Sequence, residues 1–562
     1  MGSYVRISAL LWADILVSYA LFVMQNYLTK VWKISFVNAA GILNIWGGIS
    51  MILPVFFLFL VDTLLGNLKM LVISSISYSL GIGLVTMSTP PVLANVTGTC
   101  NDYNPKCIHR AQKVLFFIAM ALIAVGAAGN LVSVKPFLDE QRNDNELDST
   151  NAGVREICKL PAFVVVAIVP IVGAVALPYV KPWSLRFGIP AICTAAAMFL
   201  FLSGVFLRGS WAYKEMKPQG SPITSVCRVF FAAACKISLP FPDDHQYLYK
   251  ENGGNEGFSH TRILRCMEKA AIIPPNTSPE TASKSWRLCS ISEVEDAKIA
   301  VRMLPISTTF IVVGIVSSFG NTYFIEQANR MNRRVGKWNV PLQVLLLLSQ
   351  WAKHLLFASN ARRLIKSHRK YGPAIGMGMA MIFSILCCIT AAKMELRRLG
   401  VIEKHGLLEK PDSKIPMSVF LLLFQFFLLA GLDTFFEMSV AEFYKDQSPK
   451  CMSNYLSHFA KGVSGLGFMS SVLSVYVVGK VSEAGGGKSW FQSTLNKSRL
   501  DRYYWVLAGL GCVNLVVFVL VACCYRYRTP EEADGDVNHP GRGGTSIPPD
   551  ENGSNQCCNL FG

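Results

Sequence analysis

The stretch from residue 37 to residue 61 reads VNAAGILNIWGGISMILPVFFLFLV and contains no Lys, Arg, Asp or Glu. A helix rises 1.5 Å per residue, so about 20 apolar residues cross the roughly 30 Å of hydrocarbon in a bilayer. Similar runs recur along most of the chain. Overall, 52% of the residues are hydrophobic and 16% are charged, whereas about a quarter are charged in soluble proteins. The sequence therefore predicts an all-α membrane protein that crosses the bilayer many times.

Runs of spanning length form two sets of six, which predicts about twelve transmembrane helices in two six-helix bundles. The predicted spans are 7–28, 37–61, 68–89, 113–134, 160–180 and 187–207, then 299–321, 338–360, 371–392, 416–440, 455–480 and 503–524. We therefore predict an N-terminal bundle over 1–207 and a C-terminal bundle over 299–524. The polar stretch 208–298 is interpreted as a cytoplasmic linker, and the Pro- and Gly-rich segment 525–562 as a disordered cytoplasmic tail.

Charge and cysteine content exclude several classes of partner. The net charge of +17 is spread over short stretches between apolar runs, which favours contact with acidic membrane lipid over nucleic acid. Several of the 16 cysteines lie inside apolar runs and no paired C-x-x-C knuckles occur, so neither a metal site nor a cofactor is predicted. The first apolar run is followed by Lys30 and Lys33 instead of a cleavage site, and is interpreted as a span.

Basic residues between the eighth and ninth predicted spans indicate the cytoplasmic side. They are Arg362, Arg363, Lys366, Arg369 and Lys370. Both termini and the linker then also face the cytoplasm. The segments 322–337 and 393–415 are basic too, although this topology places them outside.

The predicted loop 90–112 lies outside on this topology and contains Cys100, Cys107 and a glycosylation sequon at Asn95. A disulfide between the two cysteines and a glycan on the asparagine are both chemically open here. Two free thiols and an unused sequon are the alternative.

Ionisable residues inside the spans are site candidates, because a charge in hydrocarbon is costly unless it faces a cavity or a partner. Asp14 lies in the first span. Asp433 and Glu437 lie one helical turn apart in the tenth span and share a face. We predict that Asp14 and Asp433 line a central cavity. Three further ionisable groups are Lys353 and His354 in the eighth span and Glu326 near the end of the seventh, with structural or interfacial roles expected for the last two.

The short loop between the second and third spans reads DTLLGNLK over residues 62–69. It carries an acid, Asp62, a glycine that permits a tight turn, Gly66, and a cation, Lys69. This spacing predicts a charge lock between helix ends on the cytoplasmic side.

This loop resembles the loop motif of major facilitator transporters, and other stretches resemble the plant nitrate and peptide transporter family. The strongest match is Trp286-Arg287-Leu288-Cys289 followed by EVEDAK at 293–298 and RMLPI at 302–306. Supporting matches are FGIPA at 187–191, KPQGSP at 217–222, HT at 260–261, KAAI at 269–272, EFYKDQSP at 442–449 and LNKSRLD at 495–501. The resemblance implies the major facilitator fold, with a central cavity and rocking between alternate-access states.

The first half departs from the family pattern at charged positions. The family's E-x-x-E-R aligns with Leu10, Ala13 and Asp14, so two acids are lost and the arginine becomes an acid. The family's fourth-span lysine aligns with Leu131, and an arginine of the 62–69 loop is replaced by Asn67. Because these charges are absent, the resemblance implies only weak coupling of transport to protons.

In the second half the tenth-span acid of the family aligns with Asp433, and a seventh-span histidine associated with nitrate in some relatives aligns with Ser317. Nitrate is therefore not specifically supported as the solute. The predicted solute-binding residues are Asp14, Ser317, Asp433 and Glu437.

The favoured function is a secondary transporter or facilitator of a small polar or anionic solute: a nitrate-like ion, an organic anion, a peptide or a specialised metabolite. One alternative is a proton-coupled symporter that uses Asp14 or Asp433, and another is a transport-inactive membrane sensor or partner-binding protein. No H-E-x-x-H or G-x-S-x-G motif occurs, so an enzyme is not predicted. The predicted location is the plasma or vacuolar membrane, and homo-oligomerisation and a regulatory kinase stay open.

Overall fold

A computed structural model describes residues 2–92, 108–141, 171–206 and 286–527, apart from 369, 412 and 485–486, together with parts of 213–273. The predicted disulfide of Cys100 and Cys107, the sequon at Asn95, most of the fifth span and the tail beyond 527 lie outside the described residues. These expectations stay predictions.

The first half consists of long helices with few charges inside them. Its described spans are α1 (Gly2–Phe22) with α2 (Met24–Lys30), α3 (Phe36–Leu60), α4 (Gly66–Met87), α5 (Arg110–Glu140) and α6 (Trp183–Phe206). The π-helical residues Val61–Leu65 join α3 to α4. Each helix buries one face against its neighbours and leaves other large apolar side chains exposed, as expected for contact with lipid.

The described part of the linker packs around a hydrophobic cluster of its own. Helix α7 (Pro222–Cys235) and the 3₁₀ turn Arg265–Ala271 pack against the start of α8 (Ile291–Thr308). Glu293 forms a capping box with Ser290 at the start of α8 and also pairs with Arg228 of α7. Glu293 belongs to the stretch 286–306, which gave the strongest resemblance to the family. That stretch therefore connects the linker to the seventh span.

The second half continues from α8 through a 47° bend into α9 (Phe310–Asn321) and α10 (Tyr323–Arg330). The eighth span comprises α11 (Gln343–Trp351), the π-helical residues Ala352–Phe357 and α12 (Ala358–Ser367). The remaining helices are α13 (Gly372–Lys404), α14 (Leu423–Gln447) after a 3₁₀ turn, α15 (Lys450–Glu483) and α16 (Leu500–Cys524). Short strands are β1 (Met331–Asn332), β2 (Arg334–Val335), β3 (Trp338–Asn339) and β4 (Ile415–Ser418).

Eight helices among the described residues are long and apolar enough to cross a membrane. One of them joins α3 and α4 into 52 residues and is long enough to cross twice. The bent pair beginning at α8 adds one further span. The prediction of a helical membrane protein with many spans is confirmed.

The predicted limits of the eighth span are wrong. Residues 338–339 form β3, which pairs with β2 in a hairpin because Gly336 takes a positive φ of 58° at the turn. The helix begins at Gln343 and continues to Ser367, so that Arg362 and Lys366 lie on the last helical turns and not in a loop.

The two halves meet along α3 and α15, where glycines permit a close approach. A Cβ atom added to Gly48 would lie 2.6 Å from the carbonyl oxygen of Gly465. The buried Asn44 side chain donates a hydrogen bond to Ser471 across the same contact, at 3.1 Å. At the membrane face opposite the linker, here called the outer face, Asn329 donates to Asn26 at 3.0 Å. The two halves are therefore in contact at that face.

Candidate functional site

Two helices of the second half are joined by an ion pair that includes the predicted residue Asp433. Lys353, from the eighth span, places its Nζ 2.7 Å from Oδ2 of Asp433 on α14. Ser317 of α9 donates from its Oγ to the other carboxylate oxygen of Asp433, at 3.2 Å. The Lys353 and Asp433 side chains are 21% and 23% exposed, so the pair is neither fully buried nor at an open surface. The structure thus brings Ser317 and Asp433 together.

Lys353 occupies a distorted part of its helix. The residues Ala352–Phe357 form a π-helical segment between α11 and α12. Such segments are rare and are frequent at functional sites, because the extra residue in the turn rotates the following side chains.

Glu437 lies one turn after Asp433 on α14 and is exposed. Its carboxylate acts electrostatically on the Lys353 ammonium, although Asp433 has the larger influence. Asp433 therefore contacts both Ser317 and Lys353, and the charge of Glu437 acts on the same lysine. Lys353 was placed in the eighth span from the sequence, but no partner was assigned to it.

Asp14 lies in the other half and has a different kind of partner. The Tyr78 hydroxyl, from α4, donates a hydrogen bond to Oδ1 of Asp14 at 2.5 Å. Tyr78 packs closely on α5, where a Cβ atom added to Gly126 would lie 2.5 Å from the Cβ of Tyr78. Within the described residues, no hydrogen bond or ion pair joins Asp14 to the Asp433 group.

The 62–69 loop makes contacts on the linker side of the molecule. Asp62 lies in the π-helical segment between α3 and α4, and its Oδ2 accepts a hydrogen bond from the Tyr455 hydroxyl of α15 at 2.5 Å. Ser221 of the linker donates to the same hydroxyl at 2.8 Å. Gly66 has a positive φ of 71° at the start of α4. Asp62 is thus tied through a tyrosine to the second half.

At the next position of that loop, the contact is not the expected ion pair. Asn67 donates from its Nδ2 to Oε1 of Glu140 at the end of α5, at 2.5 Å. An amide therefore makes the contact at a position where the family resemblance predicts an arginine. Lys69 also has interactions in the structure.

Two residues given structural or interfacial roles differ in their surroundings. Glu326 is buried, and its Oε1 accepts a hydrogen bond from Nε of Arg330 at 2.9 Å. His354 is exposed. In the part of the chain that the structure describes, no group of three or more His, Cys, Asp or Glu residues has the arrangement of a metal site.

The titratable groups of the linker are held in packing contacts. Burial lowers the pKa of Lys236 to about 8, and its ammonium donates to the carbonyl oxygens of Ala270 and Ile272. Burial also raises the pKa of Cys289 to about 11, with Glu293 adding to the rise. The Cys289 thiol is therefore protonated at neutral pH and is not an activated nucleophile.

The sequence profile of the POT family matches residues 68–491. The chain belongs to the POT family. Protein NRT1/PTR FAMILY 5.5 of Arabidopsis thaliana is 36% identical to this POT family member over 548 residues, which cover 95% of the chain and 99% of the relative. Protein NRT1/PTR FAMILY 8.3 of the same plant is 29% identical over 521 residues, which cover 90% and 87%.

Solved structures of POT family proteins have a similar fold. A crystal structure of an auto-inhibited POT family peptide transporter has a TM-score of 0.60 at 16% identity, covering 93% of this chain and 97% of that one. A POT family transporter in complex with 5-aminolevulinic acid has a TM-score of 0.58 at 10% identity, covering 93% and 96%. The predicted family and major facilitator fold are confirmed. This POT family member is an integral membrane transporter and not an enzyme.

Proposed function

We propose that this transporter moves a small polar solute that carries both an anionic group and a hydrogen-bond donor, such as a peptide or an amine-bearing metabolite. The proposal rests on the ion pair of Lys353 and Asp433. Ser317 donates a hydrogen bond to Asp433, and the charge of Glu437 acts on Lys353. An ammonium has three donors, and Asp433 accepts from one of them. The other donors of Lys353 are suited to an anionic solute group.

The charge balance of the group argues against a bare anion. Lys353 contributes one positive charge, whereas Asp433 and Glu437, the two acids that act on it, contribute two negative charges. A solute with an ammonium or amide donor satisfies carboxylate oxygens that nitrate leaves unpaired. Ser317, at the position of the family's nitrate-associated histidine, supplies a hydroxyl and no charge.

We further propose that coupling to protons is weak. In the family pattern, acids and cations form a network whose pairs re-form when a proton binds, which favours one cavity state over the other. Here Asp433 is paired with a lysine of its own half, and Asp14 with a tyrosine of its own half. Pairs within one bundle move together when the bundles rock, so their protonation changes the relative energy of the two states little.

Uptake into proteoliposomes tests both statements. The solutes are a labelled dipeptide, an amino acid, a dicarboxylate and nitrate, each measured with and without an imposed pH step at fixed voltage. We expect uptake of a solute of mixed charge that follows its own gradient. Accumulation of several-fold that collapses with a protonophore would support the symporter instead, and no flux for any solute class would support the sensor.

The Asp433→Asn variant tests the site itself. We expect reduced flux per molecule of folded protein, with a lower Tm in a chain that still folds, because the variant removes the charge that holds Lys353 in place. The matched control is Glu442→Gln on the same helix, where the carboxylate is 41% exposed and lies 3.6 Å from Lys445. Unchanged flux, affinity and pH dependence in Asp433→Asn would mean that Asp433 is merely structural. The plasma or vacuolar location stays a proposal and is tested by fluorescence of a tagged chain in plant cells.

A further inference from the structure

A cavity of about 240 Å³ lies between the outer ends of the two halves. Its polar walls come from both: Thr29, Lys33 and Ser35 of the first half, and Glu326, Arg330 and Thr494 of the second. The volume is below the roughly 300–1,000 Å³ of pockets for drug-sized ligands. The cavity therefore suits a ligand of only a few heavy atoms.

The cavity is surrounded by positive charge. Lys33 and Arg330 line it, and Lys30 is close enough to Arg330 and Arg333 for their charges to act on its ammonium. Among the described residues, Glu326 is the one carboxylate of the lining, and its Oε1 already accepts from Arg330. The cations outnumber the acid in the part of the cavity that the structure describes.

Cations of the two halves also act on one another across the interface. Lys30 of the first half lies close enough to Arg333, Arg330 and Lys414 of the second half for their charges to act on its ammonium. Like charges on opposite sides of an interface oppose its closure unless a counter-charge lies between them. The outer ends are nevertheless in contact, because Asn329 donates to Asn26 and the rings of Phe36 and Tyr323 meet edge to face at 5.9 Å.

Two polar atoms at this place lack a hydrogen-bond partner among the described residues. They are the buried Oγ1 of Thr494, a residue of the cavity wall, and the buried Nε of Arg333, whose charge acts on Lys30 but which does not line the cavity. A buried donor without an acceptor costs about 1–3 kcal/mol, so an acceptor-rich ligand is favoured here. Lys33 has a positive φ of 53°, a conformation that non-glycine residues rarely adopt and that often marks binding sites.

We propose that this cavity binds one small oxyanion, inorganic or carboxylate, and that the bound anion holds the outer ends of the two bundles together. The site is separate from the Lys353 group, and the inference holds whatever solute the transporter carries. Because the walls come from both bundles, opening the outer face takes Lys33 away from Arg330 and dismantles the site. A ligand that binds only the closed state multiplies the ratio of closed to open protein by about 11 at ten times its Kd.

The test uses the full chain in nanodiscs with sodium nitrate, phosphate or acetate, against sodium chloride at matched ionic strength. The first readout is the apparent Tm, and the second is hydrogen exchange of residues 26–36 and 322–334. We expect at least one oxyanion to raise the Tm saturably and to slow exchange in both segments. If nitrate or phosphate reaches half-saturation at a lower concentration than acetate, the ligand of the cavity is an inorganic anion. If acetate reaches half-saturation first, the ligand is a carboxylate.

Variants separate this site from the central one. Lys33→Gln is expected to raise the half-saturating concentration about tenfold, and Thr494→Val several-fold with little change of Tm in the absence of the anion. Lys497→Gln is the matched control, because this outer-face lysine pairs with Glu409 at 2.9 Å and does not line the cavity. If chloride shifts the Tm equally, or if Lys497→Gln raises the half-saturating concentration as much as Lys33→Gln, the effect is general charge screening and the inference is overturned. Loss of the anion effect in Lys353→Gln would assign it to the central site and also overturn it.

Discussion

The two halves of this POT family member stabilise a carboxylate inside the membrane in different ways. In the second half Asp433 is neutralised by Lys353 and contacted by Ser317. In the first half Asp14 accepts a hydrogen bond from the neutral Tyr78 hydroxyl. A lone carboxylate in a low-dielectric setting is unfavourable, and an ion pair and a hydrogen bond are two ways to offset that cost.

The difference follows from which charged residues of the family pattern each half retains. The first half carries Asp14 and Leu131 at positions where the family resemblance predicts cations, and Asp14 relies on a neutral donor. The second half keeps its acid and supplies a cation from the eighth span of the same bundle. Removing the partner should therefore have a larger effect in the second half, where a full charge is left behind, than in the first.

The largest effect is expected for Lys353→Met, which leaves Asp433 without its cation. Breaking a buried ion pair costs about 3–5 kcal/mol, and partial exposure of this pair reduces the expected loss of stability to about 2 kcal/mol. We expect a lower apparent Tm and at least a tenfold loss of uptake. The double variant Lys353→Met/Asp433→Asn should regain the Tm but not the uptake, because it removes both charges.

Lys445→Met is the control for that prediction. Lys445 pairs with Glu442 at 3.6 Å near the end of α14, and both side chains are well exposed, so the pair contributes little. A double variant no more stable than Lys353→Met alone would show that the two central charges do not compensate each other. That outcome would remove the proposed contrast between the halves.

A smaller effect is expected for Gly126→Ala in the first half. The added Cβ would lie 2.5 Å from the Cβ of Tyr78, so α4 and α5 must separate, and the Tyr78 hydroxyl moves relative to Asp14. Overpacking of this kind costs about 1–3 kcal/mol. We expect a lower Tm and a loss of uptake of a few-fold. Gly83→Ala on α4 is the matched control, because its Cβ meets no atom within 4 Å and should leave the Tm unchanged or raise it.

If Gly126→Ala lowers neither quantity, the two helices can adjust without disturbing Tyr78. The hydrogen bond to Asp14 would then not depend on the small residues of α5.

The sequence predicted a helical protein with many spans because a bilayer requires long apolar helices with internal hydrogen bonds. It placed Asp14, Asp433 and Lys353 inside spans for the same reason. It did not predict that Lys353 and Asp433 pair, or that Tyr78 contacts Asp14, because these contacts depend on how each helix is rotated and where helices cross. The hairpin that replaces the predicted start of the eighth span depends on one glycine turn in an otherwise apolar and basic stretch.

The smallest effect is expected for Tyr78→Phe, which removes only the hydroxyl that donates to Asp14. One hydrogen bond contributes about 1 kcal/mol, so we expect a Tm lower by a few degrees and uptake reduced up to about fivefold. Tyr504→Phe in the second half is the matched control, because its buried hydroxyl has no hydrogen-bond partner among the described residues. That variant should be as stable as the unmodified protein or more stable, with unchanged uptake. Equal losses in both variants would mean that tyrosine hydroxyls matter for packing in general, and a loss in Tyr78→Phe as large as in Lys353→Met would mean that Asp14 depends on its neutral partner as strongly as Asp433 depends on its cation.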